Sequence, residues 1–168
     1  MGWLEFTWKR ESVGAEKLEA CGEAIEGEAI EVERSIAGGD FANAGAGASE
    51  IKRVIKKLAV PPQIVRRVAV ACFEAEVNVT VYAEEGTISA CITPLCIHVV
   101  VADKGPGIPD IGQAMQPGWT TATPEVREMG FGAGLGLPNI RENSDCIKIR
   151  SKVGEGTTVE FFILFDGV

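Results

Sequence analysis

The chain has 168 residues, 46% of them hydrophobic and 24% charged, which excludes a disordered chain and suits one folded domain with room for a small appendage. Its formal net charge of −8, from 24 acids against 16 bases, argues against a DNA or RNA binder, whose affinity leans on Lys and Arg at phosphates. A single nucleotide stays open, because backbone N–H groups can bind a phosphate.

Residues 1–26 read as an extension. Leu4, Phe6 and Trp8 alternate with polar residues, as in a short strand, and Leu18, Cys21 and Ile25 fall at helical spacing, although Gly22 weakens that pattern. No apolar secretory segment opens the chain, and no window reaches the roughly 20 apolar residues of a membrane helix. The expectation is a cytoplasmic protein with no membrane association, its five cysteines all reduced. Cys91, Cys96 and Cys146 are poorly spaced for zinc. A strand is expected over 28–36. After Gly38-Gly39, Asp40 is a natural cap for a helix over 41–58. Pro61-Pro62 ends that helix and opens another over 63–83, whose stripe includes Ile64, Val68, Ala71, Cys72 and Val79. Strands follow at 87–92 and 95–102 around a Thr93-Pro94 turn. Residues 103–133, rich in Gly and Pro, read as a lid or binding loop with a short helix starting at Asp110. A helix then begins within 134–138 and runs to about Asn143. Strands at 146–151 and 157–165 close the chain around a GEGT turn. This order predicts a two-layer α/β sandwich with a mixed, mostly antiparallel sheet and helices on one face.

Three runs carry chemistry. Glu74 and Asn78 lie one turn apart on the second helix, to one side of its apolar stripe. A carboxylate and a carboxamide there suit a base and a metal ligand; equally, they suit two solvated residues on a helix flank. Asp103, Gly105 and Gly107 follow the strand at 95–102. The Asp103 carboxylate can accept from an exocyclic amine, and the glycines let backbone approach a ring; the alternative is a strand-ending turn. Glycines 130, 132, 134 and 136 lead into a helix, as a phosphate cradle does or as a hinge would. The run lacks the G-K-[ST] of a P-loop, and it is GxGxG after a lid rather than the dinucleotide-fold GxGxxG.

In order and spacing the three runs resemble the GHKL ATPase superfamily. E-x-x-x-N at 74–78 is similar to its N-box, DxGxG at 103–107 to its first glycine box, and GxGxGL, from Gly132 through Gly134 and Gly136 to Leu137, to its second. The resemblance covers roughly residues 28–165, and within the superfamily DKGPGIPDIGQAMQPGWTTA followed by GAGLGLPNI is most similar to bacterial anti-sigma factors and switch proteins. It implies the Bergerat-type ATP-binding fold with an ATP lid, in a domain of residues 27–168. It also implies a serine/threonine protein kinase, with ATP and Mg²⁺, acting on a STAS-type anti-anti-sigma partner, a sigma factor or both. Glu74 would be the base, Asn78 the Mg²⁺ ligand, Asp103 the adenine reader and the glycines the phosphate cradle. Arg127, in the lid, is the candidate for the γ-phosphate. An ATP-gated binding switch and a plain ATPase are the rival readings. Which sigma pathway it serves and whether it is a homodimer stay open.

Overall fold

The computed structural model describes residues 2–165; Met1 and residues 166–168, the outermost parts of the expected extension and domain, lie outside the described residues. In chain order the elements are β1 (Leu4–Lys9), α1 (Ala15–Glu26), β2 (Ile30–Ala37), a 3-10 turn (Phe41–Asn43), α2 (Ala46–Lys57), α3 (Pro62–Tyr82), β3 (Glu85–Ile92) and β4 (Cys96–Asp103). The lid carries α4 (Ile111–Ala114) and α5 (Pro124–Glu128), and α6 (Gly136–Asn143), β5 (Cys146–Lys152) and β6 (Gly156–Leu164) follow. The six strands form one sheet in the order β1-β5-β6-β4-β3-β2. Every pairing is antiparallel, so the sheet has none of the parallel pairs that a mixed one would contain.

Alternation along the strands sets the two layers. Ile88, Ala90 and Ile92 of β3, Ile97, Val99 and Val101 of β4, and Val159, Phe161 and Ile163 of β6 are buried on one face. They share a core with the α3 stripe, with Ile51 and Ile55 of α2, and with Ile140 of α6.

The helix expected over 41–58 is interrupted. Gly45 takes a left-handed conformation, φ +88°, which separates the 3-10 turn from α2. Asp40 does not cap by its side chain; its carboxylate accepts from the Asn43 amide instead, at 2.9 Å. The start of α2 is held from outside. Glu76, buried on α3, accepts from the backbone N–H groups of Gly47 (3.1 Å) and Ala48 (2.8 Å).

Residues 2–26 are integrated with the rest. β1 pairs with β5 at the sheet edge and turns Leu4, Phe6 and Trp8 toward the main core. Arg10, just beyond β1, meets the buried Asp145 carboxylate together with Arg67 of α3. α1 joins a separate cluster in which Cys21 meets Val13, Cys96 and Leu164. Cys96 and Leu164 alternate with the core residues of β4 and β6, so α1 packs on the opposite side of the sheet from α2 and α3. There Cys21 and Cys96 form a disulfide, 75 residues apart in sequence. This corrects the expectation of five reduced thiols: Cys72, Cys91 and Cys146 are free, and the other two are paired. The bond exists because α1 sets Cys21 over the start of β4, a placement the separation of the two residues concealed. No helix among the described residues is long and apolar enough to cross a membrane.

Candidate active site

Helix α3 sits on the sheet by its apolar stripe and leaves Glu74 and Asn78 half-buried at its margin. The lid and α6 face that margin and enclose a cavity of about 560 Å³, a size suited to a nucleotide. Glu74, Asn78, Asp103, Gly107, Gly132, Gly134, Gly136 and Leu137 all line it. Two expected members do not. Gly105 lies beneath the site, where its N–H donates to the Asp103 carboxylate. Arg127 is on the exposed side of α5, away from the cavity lining.

Asp103 is the last residue of β4, and its carboxylate accepts from the Thr157 N–H at 3.1 Å. Burial raises this carboxyl above its ordinary value, opposed by the Thr157 and Gly105 N–H groups, which favour the carboxylate. Val79, Val101, Ile108 and Val159 form apolar walls around it. Apolar walls beside a polar acceptor suit a heterocyclic base.

At the other end lies the start of α6. No side chain caps this helix, so its first N–H groups have no capping side chain as a partner. Gly136 opens it in close approach to α3: a Cβ there would lie 3.0 Å from Asn78 Oδ1 and 3.5 Å from Glu74 Oε2. Gly134, at φ +79°, lies against the other arm of the lid; a Cβ would come within 2.6 Å of the Trp119 carbonyl oxygen. Its own carbonyl accepts from the Gly118 N–H at 2.8 Å. The glycine run therefore joins lid, helix and cavity in one place.

Some contacts are not evident from the sequence motifs. Asn139 of α6 donates to Glu74 Oε1 at 2.9 Å. Two of the lid's contacts come from distant residues, Tyr82 to Thr120 (3.1 Å between hydroxyls) and a Phe41–Phe131 ring contact at 5.3 Å. Within the lid, Asp110 caps α4 as expected, accepting from Gln113 N–H. Helix α5 was not expected, although Thr123-Pro124-Glu125 carries a cap, a first-turn proline and a first-turn acid.

Comparison with known proteins agrees with this arrangement. The model of the histidine kinase-, DNA gyrase B- and HSP90-like ATPase family (HATPase_c) matches residues 63–167, from the start of α3 through the lid and the last strand. The chain belongs to that family. Among curated proteins, this HATPase_c chain is 30% identical over 113 residues to the serine/threonine-protein kinase RsbT of Bacillus subtilis (strain 168), covering 65% of this chain and 79% of that one. It is 42% identical over 74 residues to the anti-sigma F factor of Geobacillus stearothermophilus, covering 44% of this chain and 47% of that one. It is 36% identical over 94 residues to the anti-sigma F factor of Caldanaerobacter subterraneus subsp. tengcongensis, covering 53% and 62%. The chain thus spans most of RsbT but between about half and three fifths of the anti-sigma F factors. Expectation and family coincide: an ATPase of the GHKL type, related to kinases and anti-sigma factors.

Proposed function

We propose that this HATPase_c chain is an ATP-dependent serine/threonine protein kinase that phosphorylates and binds a STAS-type anti-anti-sigma partner in a bacterial sigma-factor pathway, within the cytoplasm. Residues 27–168 form the kinase unit in this reading, and 1–26 brace it. The observation that carries the reading is Glu74 on the cavity wall, one turn from Asn78 and against the opening of α6. A site that only bound ATP would have no use for a base there.

Adenine lies between the apolar walls with its exocyclic amine on Asp103, and Gly107 lets the backbone close over the ring. The N–H groups of Gly132, Gly134 and Gly136 and the first turn of α6 at Leu137 meet the phosphates. Among the described residues, no group of three or more His, Cys, Asp or Glu is gathered to hold a metal. One carboxamide oxygen beside a phosphate cradle fits Mg²⁺, which takes few protein ligands and fills its shell with phosphate and water. Asn78 Oδ1 is that ligand, and bound Mg²⁺ supplies neutralisation of charge on the phosphates. The serine oxygen bonds to the γ-phosphorus, the bond to the β,γ-bridging oxygen breaks, and ADP leaves. Glu74 takes the serine proton. Positioning and charge neutralisation carry most of such a transfer. Arg127 reaches the γ-phosphate only if α5 swings inward on closure.

The lid contacts of Tyr82 and Phe41 favour a second reading, an ATP-gated binding switch, in which nucleotide occupancy sets the lid and the lid sets partner affinity. One assay separates the readings. With γ-labelled ATP and a STAS partner, label on the partner supports the kinase, label in free phosphate a plain ATPase, and unspent ATP the switch.

A further inference from the structure

The carboxylate of Glu74 ends a flexible stem with three rotatable bonds, so helix α3 fixes where the residue begins but not where its oxygens point. Among the described residues, one side-chain hydrogen bond settles that: Asn139 Nδ2 to Glu74 Oε1, 2.9 Å. We infer that Asn139 is the positioning residue of the base, aiming the second carboxylate oxygen at the reacting end of the cavity; this rests on the reading of Glu74 as the base.

Three features of the molecule support the inference. Asn139 lines the same cavity as Glu74 and Asn78. It lies three residues after Gly136, so the close approach and the donor come from one face of α6. With Oε1 engaged by Asn139, Oε2 is the oxygen that faces Gly136, the glycine that also approaches Asn78 Oδ1, where the phosphates and metal are proposed to lie. Asn139 is itself steadied, because its carbonyl accepts from the Asn143 amide at 2.8 Å. The residue type matters. A carboxamide donates while carrying no charge, so it orients the carboxylate without adding a cation that would compete for it in an ion pair. Asn139 touches no reacting atom in this arrangement and acts through Glu74.

The test is a double-mutant cycle on the whole chain, read as ADP release at saturating Mg·ATP with a STAS-domain protein as the serine acceptor, and with ATP affinity and melting temperature measured beside it. Asn139→Ala is expected to lower kcat by roughly ten- to a hundredfold, what one hydrogen bond to a charged group is worth. KM for ATP and the melting temperature should stay near wild type. Asn139→Asp keeps the shape, removes the donor and sets a second carboxylate against the first, so it should fall at least as far; it also serves if the alanine variant folds poorly. In a Glu74→Ala background, Asn139→Ala should change nothing further, because the group it acts through is gone. Wild-type kcat in both Asn139 variants, with Glu74→Ala impaired, overturns the positioning role and leaves the base standing. Equal losses in both backgrounds overturn it too, since Asn139 would then act independently of Glu74. Full turnover in Glu74→Ala removes the base reading and this inference with it.

Discussion

Asn78 and Asp103 both line the cavity, and the proposed roles of Mg²⁺ ligand and base reader can each be tested alone. If the Asn78 carboxamide oxygen is the protein's Mg²⁺ ligand, Asn78→Ala should weaken Mg·ATP binding by about tenfold or more and leave Mg-free ATP much less affected. Calorimetric titrations with and without Mg²⁺ check this; equal weakening would make Asn78 a structural residue. In the proposed reading Asp103 is the residue that distinguishes the base. Guanine puts a carbonyl oxygen where adenine has its amine, so two acceptors would oppose each other. Wild type should prefer ATP over GTP by roughly ten- to a hundredfold, and Asp103→Asn should narrow that ratio, because a carboxamide can present its NH₂. The pH dependence follows from burial. The Asp103 carboxyl is raised above the ordinary 3.8, and its ionised form is the stronger acceptor for the amine. ATP affinity should therefore fall on acidification at a pH above 3.8, a loss that Asp103→Asn should abolish. For the empty protein the sign reverses. The folded state holds this proton more tightly than the unfolded one, so the carboxyl's contribution to stability is lost as pH rises through the raised value. These residues were legible because each motif joins a chemical type to a fixed short spacing. Asn139 was not, since its partner lies 65 positions away and an Asn inside a helix carries no local signal.

At the scale of elements, α3 explains both what could be read and what was missed. Its stripe and opening prolines announced the helix to within a residue at each end. The same helix carries two glutamates two residues apart with opposite fates. Glu74 faces the cavity, and Glu76 is buried against the first turn of α2. Periodicity places Glu76 near the buried side but cannot supply the N–H groups it meets, which belong to α2. Glu76→Ala should cost about 1–3 kcal/mol, the usual penalty for leaving buried donors unsatisfied, seen as a lower urea midpoint. Glu74→Ala should leave that midpoint nearly unchanged while slowing turnover by about 10²–10⁴, the range for a general base. A lowered midpoint with normal turnover in Glu74→Ala would make Glu74 a structural residue like Glu76. The lid was legible as a long Gly- and Pro-rich loop with a capped α4. Its attachment through Phe41 and Tyr82 was not, because those residues sit before β3 and contact it only in the fold.

Across the whole molecule, the extension is held by strand pairing, by the Arg10–Asp145 contact and by the Cys21–Cys96 bond. Closing a loop of 75 residues restricts the unfolded chain by about 4 kcal/mol on the entropic account. Urea unfolding with and without reductant should differ by up to that amount, and Cys21→Ser should erase the difference. Alkylation of the unreduced, denatured chain should mark three cysteines; five marked would mean that the bond is absent. Alternation in 4–8 gave the strand in the sequence, yet nothing there named β5 as its neighbour, because strand partners are set by topology.

That pairing also fixes an order of events during synthesis. Lys9 lies opposite Cys146 and Leu4 opposite Ser151, so β1 leaves the ribosome long before the strand it pairs with. At roughly 5–20 residues per second, β1 spends on the order of ten seconds without its neighbour. Cys96 emerges well before β5 does, so α1 can pack on β4 while the strand preceding it is still unpaired. The β2-β3-β4 side of the sheet can therefore form before β5 and β6 are made, and β1 joins the opposite edge only once β5 is in place.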